Sequence, residues 1–242
     1  MEVIITEDYA EMSEVGAKVI IDEMIEKNDL VIGFATGSTP IGMYQQLIDA
    51  CEKQTISFRN VISYNLDEYI GLDVDHEQSY NYFMRDNLFD HIDINPKNIN
   101  MPMGNGEDHD KLVKEYQDKL NQKQIDIQIL GIGANGHVGF NEPGTPFDSH
   151  VHVVELTEKT REDNKRFFEK LEDVPEYAIT MGIADIMAAK KILVLASGKS
   201  KAQAVKTLLE GHKSEDFPAS ILFDHEDVIL VVDKEAMSLV ED

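Results

Sequence analysis

The stretch at residues 130–144 carries the strongest chemical signal in the chain, because one histidine stands among amide and carboxylate side chains. Asn135 precedes His137, and Asn141 and Glu142 follow it. Imidazole titrates near neutral pH, and a carboxylate within reach can orient the ring and stabilise its cation. The pattern therefore favours a proton shuttle at His137, with an ordinary loop histidine as the alternative.

Glycines in the same stretch also match a dinucleotide-binding fingerprint. Gly131, Gly133 and Gly136 spell G-x-G-x-x-G after a predicted strand, and Glu155 lies about 20 residues further on. That fingerprint needs a helix that begins at the glycines, whereas residues 138–148 contain two prolines and two further glycines. A loop is therefore predicted here, and an NAD-dependent dehydrogenase remains only a minor alternative.

Two adjacent carboxylates, Asp67 and Glu68, follow another predicted strand, on a segment that we predict to be irregular. Mutual repulsion or partial burial can raise one of the two pKa values into the range of a general base. A solvated acidic loop is the alternative. The nearby acidic run at residues 73–77 lacks the glycine and the distal glutamate of a calcium loop, so no metal site is expected there.

Two further stretches have the composition of anion-binding turns between a strand and a helix. Residues 35–40 read Ala-Thr-Gly-Ser-Thr-Pro, and residues 197–201 read Ser-Gly-Lys-Ser-Lys. Small residues allow close backbone approach, and free N–H groups at a helix N-terminus attract phosphate. Lys199 and Lys201 fall where a cation opposes the helix dipole, which a bound anion would explain. The alternatives are a tight turn with a threonine cap in the first stretch and two solvated lysines in the second.

The four stretches follow short apolar segments that alternate with segments of helical period. Several apolar segments are hydrophobic at nearly every position, as in a parallel sheet that is covered on both faces. The order predicts one α/β domain over residues 1–242, with a doubly wound, mostly parallel sheet and helices on both faces. In such sheets ligands bind beyond the carboxyl ends of the strands. The predicted strands are residues 30–34, 61–64, 125–130, 192–196 and 228–232.

Composition limits the partners of such a domain. The 242 residues include 22 Lys and Arg against 46 Asp and Glu, a formal net charge of −24. A surface this negative repels nucleic-acid phosphates and anionic lipid, so neither is expected as a partner. Cys51 is the only cysteine, and neither a signal-like N-terminus nor a membrane-spanning apolar run is present, so a cytoplasmic location is expected. Self-association stays open.

Together the four stretches resemble, in order, the motifs of the glucosamine-6-phosphate deaminase family. The most specific parts are Leu-Asp-Glu-Tyr at residues 66–69 and Gly-His-Val-Gly-Phe-Asn-Glu-Pro at residues 136–143. The resemblance spans nearly the whole chain. It implies the doubly wound fold shared with 6-phosphogluconolactonases and the conversion of glucosamine 6-phosphate and water into fructose 6-phosphate and ammonia, without a metal or an organic cofactor.

The resemblance also implies roles for the catalytic residues. His137 would open the sugar ring, oriented by Glu142 and Asn135. Asp67 would remove the proton from C2 and return a proton to C1. Asn135 stands where some members of the family have an aspartate; asparagine can hold the imidazole but adds no charge.

For the phosphate group the resemblance implies a clamp and a mobile lid. Arg166 resembles an arginine that a lid at about residues 156–177 brings to the phosphate, and Arg166→Lys is predicted to weaken binding because lysine cannot make two parallel hydrogen bonds. His150, His152 and Val154 stand where members activated by an acetylated sugar phosphate carry basic residues, so such activation is expected to be weak or absent. The clamp comprises Thr36, Gly37, Ser38, Thr39 and Lys201.

Two other classes remain as alternatives. A 6-phosphogluconolactonase is expected to continue after its Asp-Gly-His with a Leu-Phe-Pro pattern, whereas this chain continues with Gly-Phe-Asn-Glu-Pro. A non-catalytic sugar-phosphate sensor of a transcription repressor would need a helix-turn-helix and a basic face, and the acidic N-terminal region offers neither.

Overall fold

A parallel sheet of seven strands lies at the centre of the computed structural model, which describes residues 1–156, 168, 170 and 173–240. The strands are β1 (Glu2–Thr6), β2 (Val31–Phe34), β3 (Ile62–Asn65), β5 (Ile99–Asn100), β6 (Ile127–Gly131), β9 (Lys191–Ala196) and β10 (Val228–Asp233). Their order across the sheet is β1-β10-β9-β6-β2-β3-β5. The winding direction changes between β2 and β6, and the crevice at such a switch point is where ligands bind in this class of fold. The predicted doubly wound parallel sheet is confirmed.

Helices cover both faces of this sheet, as the strands require. Val31, Ile32 and Phe34 of β2 are all buried, so neither face of this strand meets solvent. In the first helix the residues at helical spacing, such as Met12 and Ile20, point into the core. The helices are α1 (Tyr9–Glu26), α2 (Ile41–Glu52), α3 (Tyr80–Asn87), α4 (His109–Leu120), α5 (Ile183–Met187) and α6 (Ala202–Glu210), with short 3₁₀ turns at Phe89–His91, Pro96–Asn98, Lys199–Lys201 and Pro218–Asp224.

Three short strands form a second, antiparallel sheet: β4 (Asp67–Ile70), β7 (His152–Glu155) and β8 (Tyr177–Thr180). Strand β8 lies in the middle, and its Thr180 pairs with Asp67 of β4. Leu66 joins the two sheets, because its N–H donates to the Phe34 carbonyl of β2 and its carbonyl accepts from Met181, just after β8. The two sheets are thus linked by hydrogen bonds at Leu66, the residue that precedes Asp67.

This second sheet overturns one prediction. Asp67 and Glu68 do not lie on an irregular segment or in a solvated loop; they begin a strand and are only 5% and 3% exposed. Sequence periodicity misses β4 because the strand has four residues, two of them acidic, and is buried at every position. Its pairing with β8 links residues more than 100 positions apart.

Within the part of the chain that the structure describes, the helices are too short or too polar to cross a membrane.

Candidate active site

A cleft of about 970 Å³ opens at the carboxyl ends of β2, β3 and β6, beside the switch point of the large sheet. Its walls come from the turn after β2, the start of β4, the loop after β6, the segment that enters α3, and the turn after β9. Arg166 and most of the predicted lid at residues 156–177 lie outside the described residues. The other predicted site residues all line this cleft: Thr36, Gly37, Ser38, Thr39, Asp67, Asn135, His137, Glu142 and Lys201.

The turn after β2 is shaped for close approach to an anion. Gly37 has φ = +93°, a conformation that favours glycine. Pro40 stands at the N-cap of α2 and makes no side-chain cap hydrogen bond, so the predicted alternative of a threonine cap is wrong. This helix N-terminus and the small side chains before it therefore face the cleft.

Two tyrosines that the sequence analysis did not single out hold this turn in place. The Tyr44 hydroxyl accepts from the Ala35 N–H at 3.2 Å and donates to the Ala35 carbonyl at 2.5 Å. The Tyr9 hydroxyl donates to the Ser38 carbonyl at 3.1 Å and accepts from the Gly42 N–H at 2.8 Å. Sequence gives little signal for such a role, since Tyr9 lies 29 residues from Ser38.

The turn after β9 brings Lys201 into the cleft, and a buried carboxylate holds that turn. Asp233 accepts hydrogen bonds from the Ser197 hydroxyl and from the Gly198 N–H, at 3.0 Å for the closer oxygen. Lys201 is half-buried, and burial lowers the pKa of its ammonium group. Lys199 is exposed and does not line the cleft, so the solvated alternative holds for Lys199 but not for Lys201.

The adjacent carboxylates Asp67 and Glu68 point to opposite sides of β4. Asp67 lines the cleft, and burial, assisted by the negative charge of Glu68, raises its pKa to about 8. The Glu68 carboxylate instead accepts three backbone hydrogen bonds at 2.8–2.9 Å, from Tyr69 and from Tyr80 and Asn81 at the start of α3. Burial raises the pKa of Glu68 to about 7, and these hydrogen bonds oppose the shift. Of these two adjacent carboxyl groups, Asp67 is therefore the one that a bound molecule can reach.

The loop after β6 brings His137, Glu142 and Asn135 together at the other side of the cleft. His137 Nδ1 lies 3.4 Å from Glu142 Oε1, and the Asn135 amide donates to Glu142 Oε2 at 2.7 Å. Asn135 Oδ1 also accepts the backbone N–H of His137 at 3.2 Å. The ring lies so close to Gly133 that a Cβ there would come within 2.4 Å of it. No helix follows the glycines, so the prediction of a loop is confirmed.

An aromatic wall, formed by Tyr69, Tyr80, Phe140 and Phe168, lines part of the cleft. Tyr80 stacks on Phe140 with ring centroids 6.0 Å apart and contacts Tyr69 at 4.9 Å. Phe168, within the predicted lid, lies edge-on to Tyr69 at 6.3 Å. These rings give an apolar surface to the cleft that Asp67 also lines.

Comparison with known proteins identifies the family of this chain. The structure defines the class as a doubly wound α/β protein with a cleft at the switch point of its large sheet. The family model for glucosamine-6-phosphate isomerases and 6-phosphogluconolactonases matches residues 7–230. The chain belongs to this family.

Three known proteins are similar to this chain over nearly its whole length. A glucosamine-6-phosphate deaminase of Thermoanaerobacter sp. (strain X514) is 51% identical over 243 residues, which cover 100% of this chain and 96% of that protein. The solved structure of a monomeric glucosamine-6-phosphate deaminase superposes with a TM-score of 0.96 at 48% identity, covering 99% of this chain and 100% of that one. A 6-phosphogluconolactonase from Leishmania guyanensis superposes with a TM-score of 0.78 at 22% identity, covering 100% and 99%, and shares the fold alone.

Proposed function

We propose that this protein is a glucosamine-6-phosphate deaminase, which converts glucosamine 6-phosphate and water into fructose 6-phosphate and ammonia. One observation carries the proposal: a single cleft gathers a buried carboxyl, an imidazole paired with a carboxylate, and an anion-binding turn. The chain that forms this cleft is about half identical, over its full length, to proteins of that name. Likeness to 6-phosphogluconolactonases is far weaker.

His137 opens the sugar ring in this proposal. Ring opening moves a proton from the O1 hydroxyl to the ring oxygen, which suits an imidazole at the cleft surface. Glu142 lies close enough to stabilise the imidazolium that forms in passing. Asn135 adds no charge; its part is to hold the carboxylate of Glu142 and the backbone of His137 in one geometry.

Asp67 then carries the proton between two carbons. It removes the C2 proton, which the neighbouring C1 carbonyl makes acidic, while O1 gains a proton, so that an enolamine forms. Returning a proton to C1 leaves an imine at C2, which water attacks with loss of ammonia. A carboxyl with a pKa of about 8 can both accept and return a proton near neutral pH. All these steps are acid–base chemistry and need no metal or organic cofactor.

The phosphate group lies at the opposite end of the substrate from this chemistry. Thr36, Gly37, Ser38 and Thr39 offer backbone and hydroxyl donors at the start of α2, and Lys201 supplies a cation. These local donors reconcile an anionic substrate with a chain of net charge −24. Arg166 and lid closure stay part of the proposal through the family resemblance. A cytoplasmic location and weak or absent activation by an acetylated sugar phosphate likewise stay predictions.

The decisive experiment is an ammonia-release assay on three substrates: glucosamine 6-phosphate, glucosamine and N-acetylglucosamine 6-phosphate. We expect ammonia from the first alone, with an equal amount of fructose 6-phosphate. A parallel assay supplies 6-phosphogluconolactone and follows its hydrolysis. Lactone hydrolysis without ammonia release would overturn the proposal in favour of a lactonase.

A further inference from the structure

The acid–base groups of the cleft lie on two different structural units. Asp67 begins β4 of the small sheet, whereas His137 and Glu142 lie on the loop after β6 of the large sheet. In the proposed reaction Asp67 acts on C2 and C1 of the substrate and His137 acts on O1 and the ring oxygen, so the two units need a fixed relative position. Some contact between the small sheet and the loop must therefore maintain that position.

Thr180 makes such a contact. It is the residue of β8 that pairs with Asp67, and it is fully buried. Its Oγ1 accepts the backbone N–H of Phe140 at 3.3 Å and donates to the Met181 carbonyl at 3.2 Å. One hydroxyl therefore connects the strand beside Asp67 to the loop that carries Glu142.

Two neighbours show that the loop is pressed closely against this point. The Asn141 amide donates to the same Met181 carbonyl at 2.8 Å. Gly139 has φ = +59°, and a Cβ there would lie 3.0 Å from Thr180 Oγ1 and 3.2 Å from Asp67 Oδ2. The loop backbone thus lies against both Thr180 and Asp67, and a small outward movement would separate the two units.

We propose that Thr180 is a positioning residue for the deaminase reaction: its hydroxyl holds the loop at residues 138–142 against β8 and so sets the distance between Asp67 and the His137–Glu142 pair. This inference rests on the proposed function. Thr180 does not itself line the cleft. Its effect passes through the N–H of Phe140 to the chain segment between His137 and Glu142.

The position of this contact predicts which kinetic constant it affects. A displacement of about 1 Å between reacting groups can cost about a hundredfold in rate. The phosphate-binding turn and Lys201 lie on other elements of the fold than Thr180, so we expect binding of the phosphate not to depend on Thr180. Loss of the hydroxyl should therefore lower kcat and leave KM nearly unchanged.

The test compares Thr180→Val, Thr180→Ser and a matched control, Thr6→Val. Thr6 is also a buried threonine, and its hydroxyl donates to the Val232 carbonyl at 3.2 Å, but it lies at the end of β1 outside the cleft. We expect Thr180→Val to lower kcat by about ten- to a hundredfold with KM within about twofold. Thr180→Ser keeps the hydroxyl and should restore most of kcat, and Thr6→Val should resemble the wild type.

The outcomes separate this inference from the proposed function. If wild type and Thr6→Val release ammonia and Thr180→Val matches them, Thr180 only fills space and the inference is wrong. If KM rises as much as kcat falls, the residue serves binding and the inference is again wrong. Absence of turnover in the wild type would overturn the proposed function itself. Melting temperatures are measured for all variants; should Thr180→Val melt well below Thr6→Val, Thr180→Ala removes the same hydroxyl and must show the same loss of kcat.

Discussion

The large and small sheets contribute different chemistry to one cleft. The parallel sheet supplies backbone N–H groups, small residues and Lys201 at its strand ends, where helices begin. The antiparallel sheet supplies Asp67 on a strand that is buried at every position. Anion binding needs donors that a ligand can reach, and a proton carrier near neutral pH needs a desolvated carboxyl. Exposed strand-to-helix turns meet the first requirement, and a short buried strand meets the second.

The same contrast appears between two neighbouring residues of β4. Glu68 accepts hydrogen bonds from three backbone N–H groups, while Asp67 lines the cleft. Two carboxyl groups in sequence therefore have separate tasks: one fixes α3 to the small sheet, and the other is available to the substrate. The following predictions test this division, from the largest expected effect to the smallest.

Replacing Asp67 by asparagine should have the largest effect, because it removes the proton carrier and keeps the shape. We expect kcat to fall by about 10²- to 10⁴-fold with a small change in KM, measured by ammonia release. Glu68→Gln is the matched comparison: its amide would place N–H groups against the Asn81 N–H, so it should lower the melting temperature and reduce kcat of the folded enzyme by less than about tenfold. If Glu68→Gln loses more turnover than Asp67→Asn, the two roles are reversed.

Asp67 should also make stability depend on pH. Its pKa of about 8 in the folded protein lies above the ordinary value of 3.8, so the folded state binds the proton more tightly. The stability that this residue contributes is fully present below pH 3.8 and is lost as the pH rises through about 8, at up to about 1.4 kcal/mol per pH unit. Asp67→Asn should therefore gain stability over the wild type at pH 9 relative to pH 5, as measured by urea unfolding.

Asp93 offers a control of opposite sign for this pH dependence. Hydrogen bonds from Ser57 and the Phe58 N–H outweigh the desolvation of Asp93 and lower its pKa. Its contribution to stability is present above the ordinary pKa and is lost on acidification. Asp93→Asn should therefore differ from the wild type at pH 7 and converge with it in acid. Identical pH profiles for the two variants would contradict the assignment.

At the phosphate end, Lys201→Met should act on binding. A hydrogen bond to a charged group contributes about 1.5–3 kcal/mol, so we expect KM to rise about ten- to a hundredfold with a smaller change in kcat. Lys199→Met is the control, since Lys199 is exposed two residues away and outside the cleft. It should leave KM within about twofold. Equal effects of the two variants would mean that only the general positive charge matters.

Tyr9→Phe should have the smallest effect, because Tyr9 supports the phosphate-binding turn from behind. Losing its hydrogen bonds to Ser38 and Gly42 should raise KM by about two- to tenfold, the equivalent of about 0.5–1.5 kcal/mol. Tyr64→Phe removes a comparable hydroxyl, which donates to the Lys119 carbonyl away from the cleft. That control should leave KM unchanged; a shift of similar size would show that the Tyr9 effect is not local.

Much of the architecture could be predicted because it follows from local pattern. The apolar runs of β2, β6, β9 and β10 and the helical spacing in α1, α2, α4 and α6 are each readable within one segment. The antiparallel sheet could not be predicted, since β4, β7 and β8 have four residues each and are held by pairing between distant segments. Edge strand β1 was missed for a similar reason, because three of its five residues are exposed and it pairs with β10, more than 200 residues away.

The amino-acid sequence by itself determined which residue types follow each of four predicted strands, because each of these segments is one contiguous stretch. It thus specified the imidazole, the carboxylates, the anion-binding turns and the family. Only the tertiary structure decided that Asp67 faces the cleft while Glu68 faces α3, that Lys201 enters the cleft while Lys199 stays in solvent, and that Thr180 joins Asp67's strand to the loop of His137. Burial and strand register depend on partners more than 100 residues away, and those partners set the proton affinity on which the proposed chemistry relies.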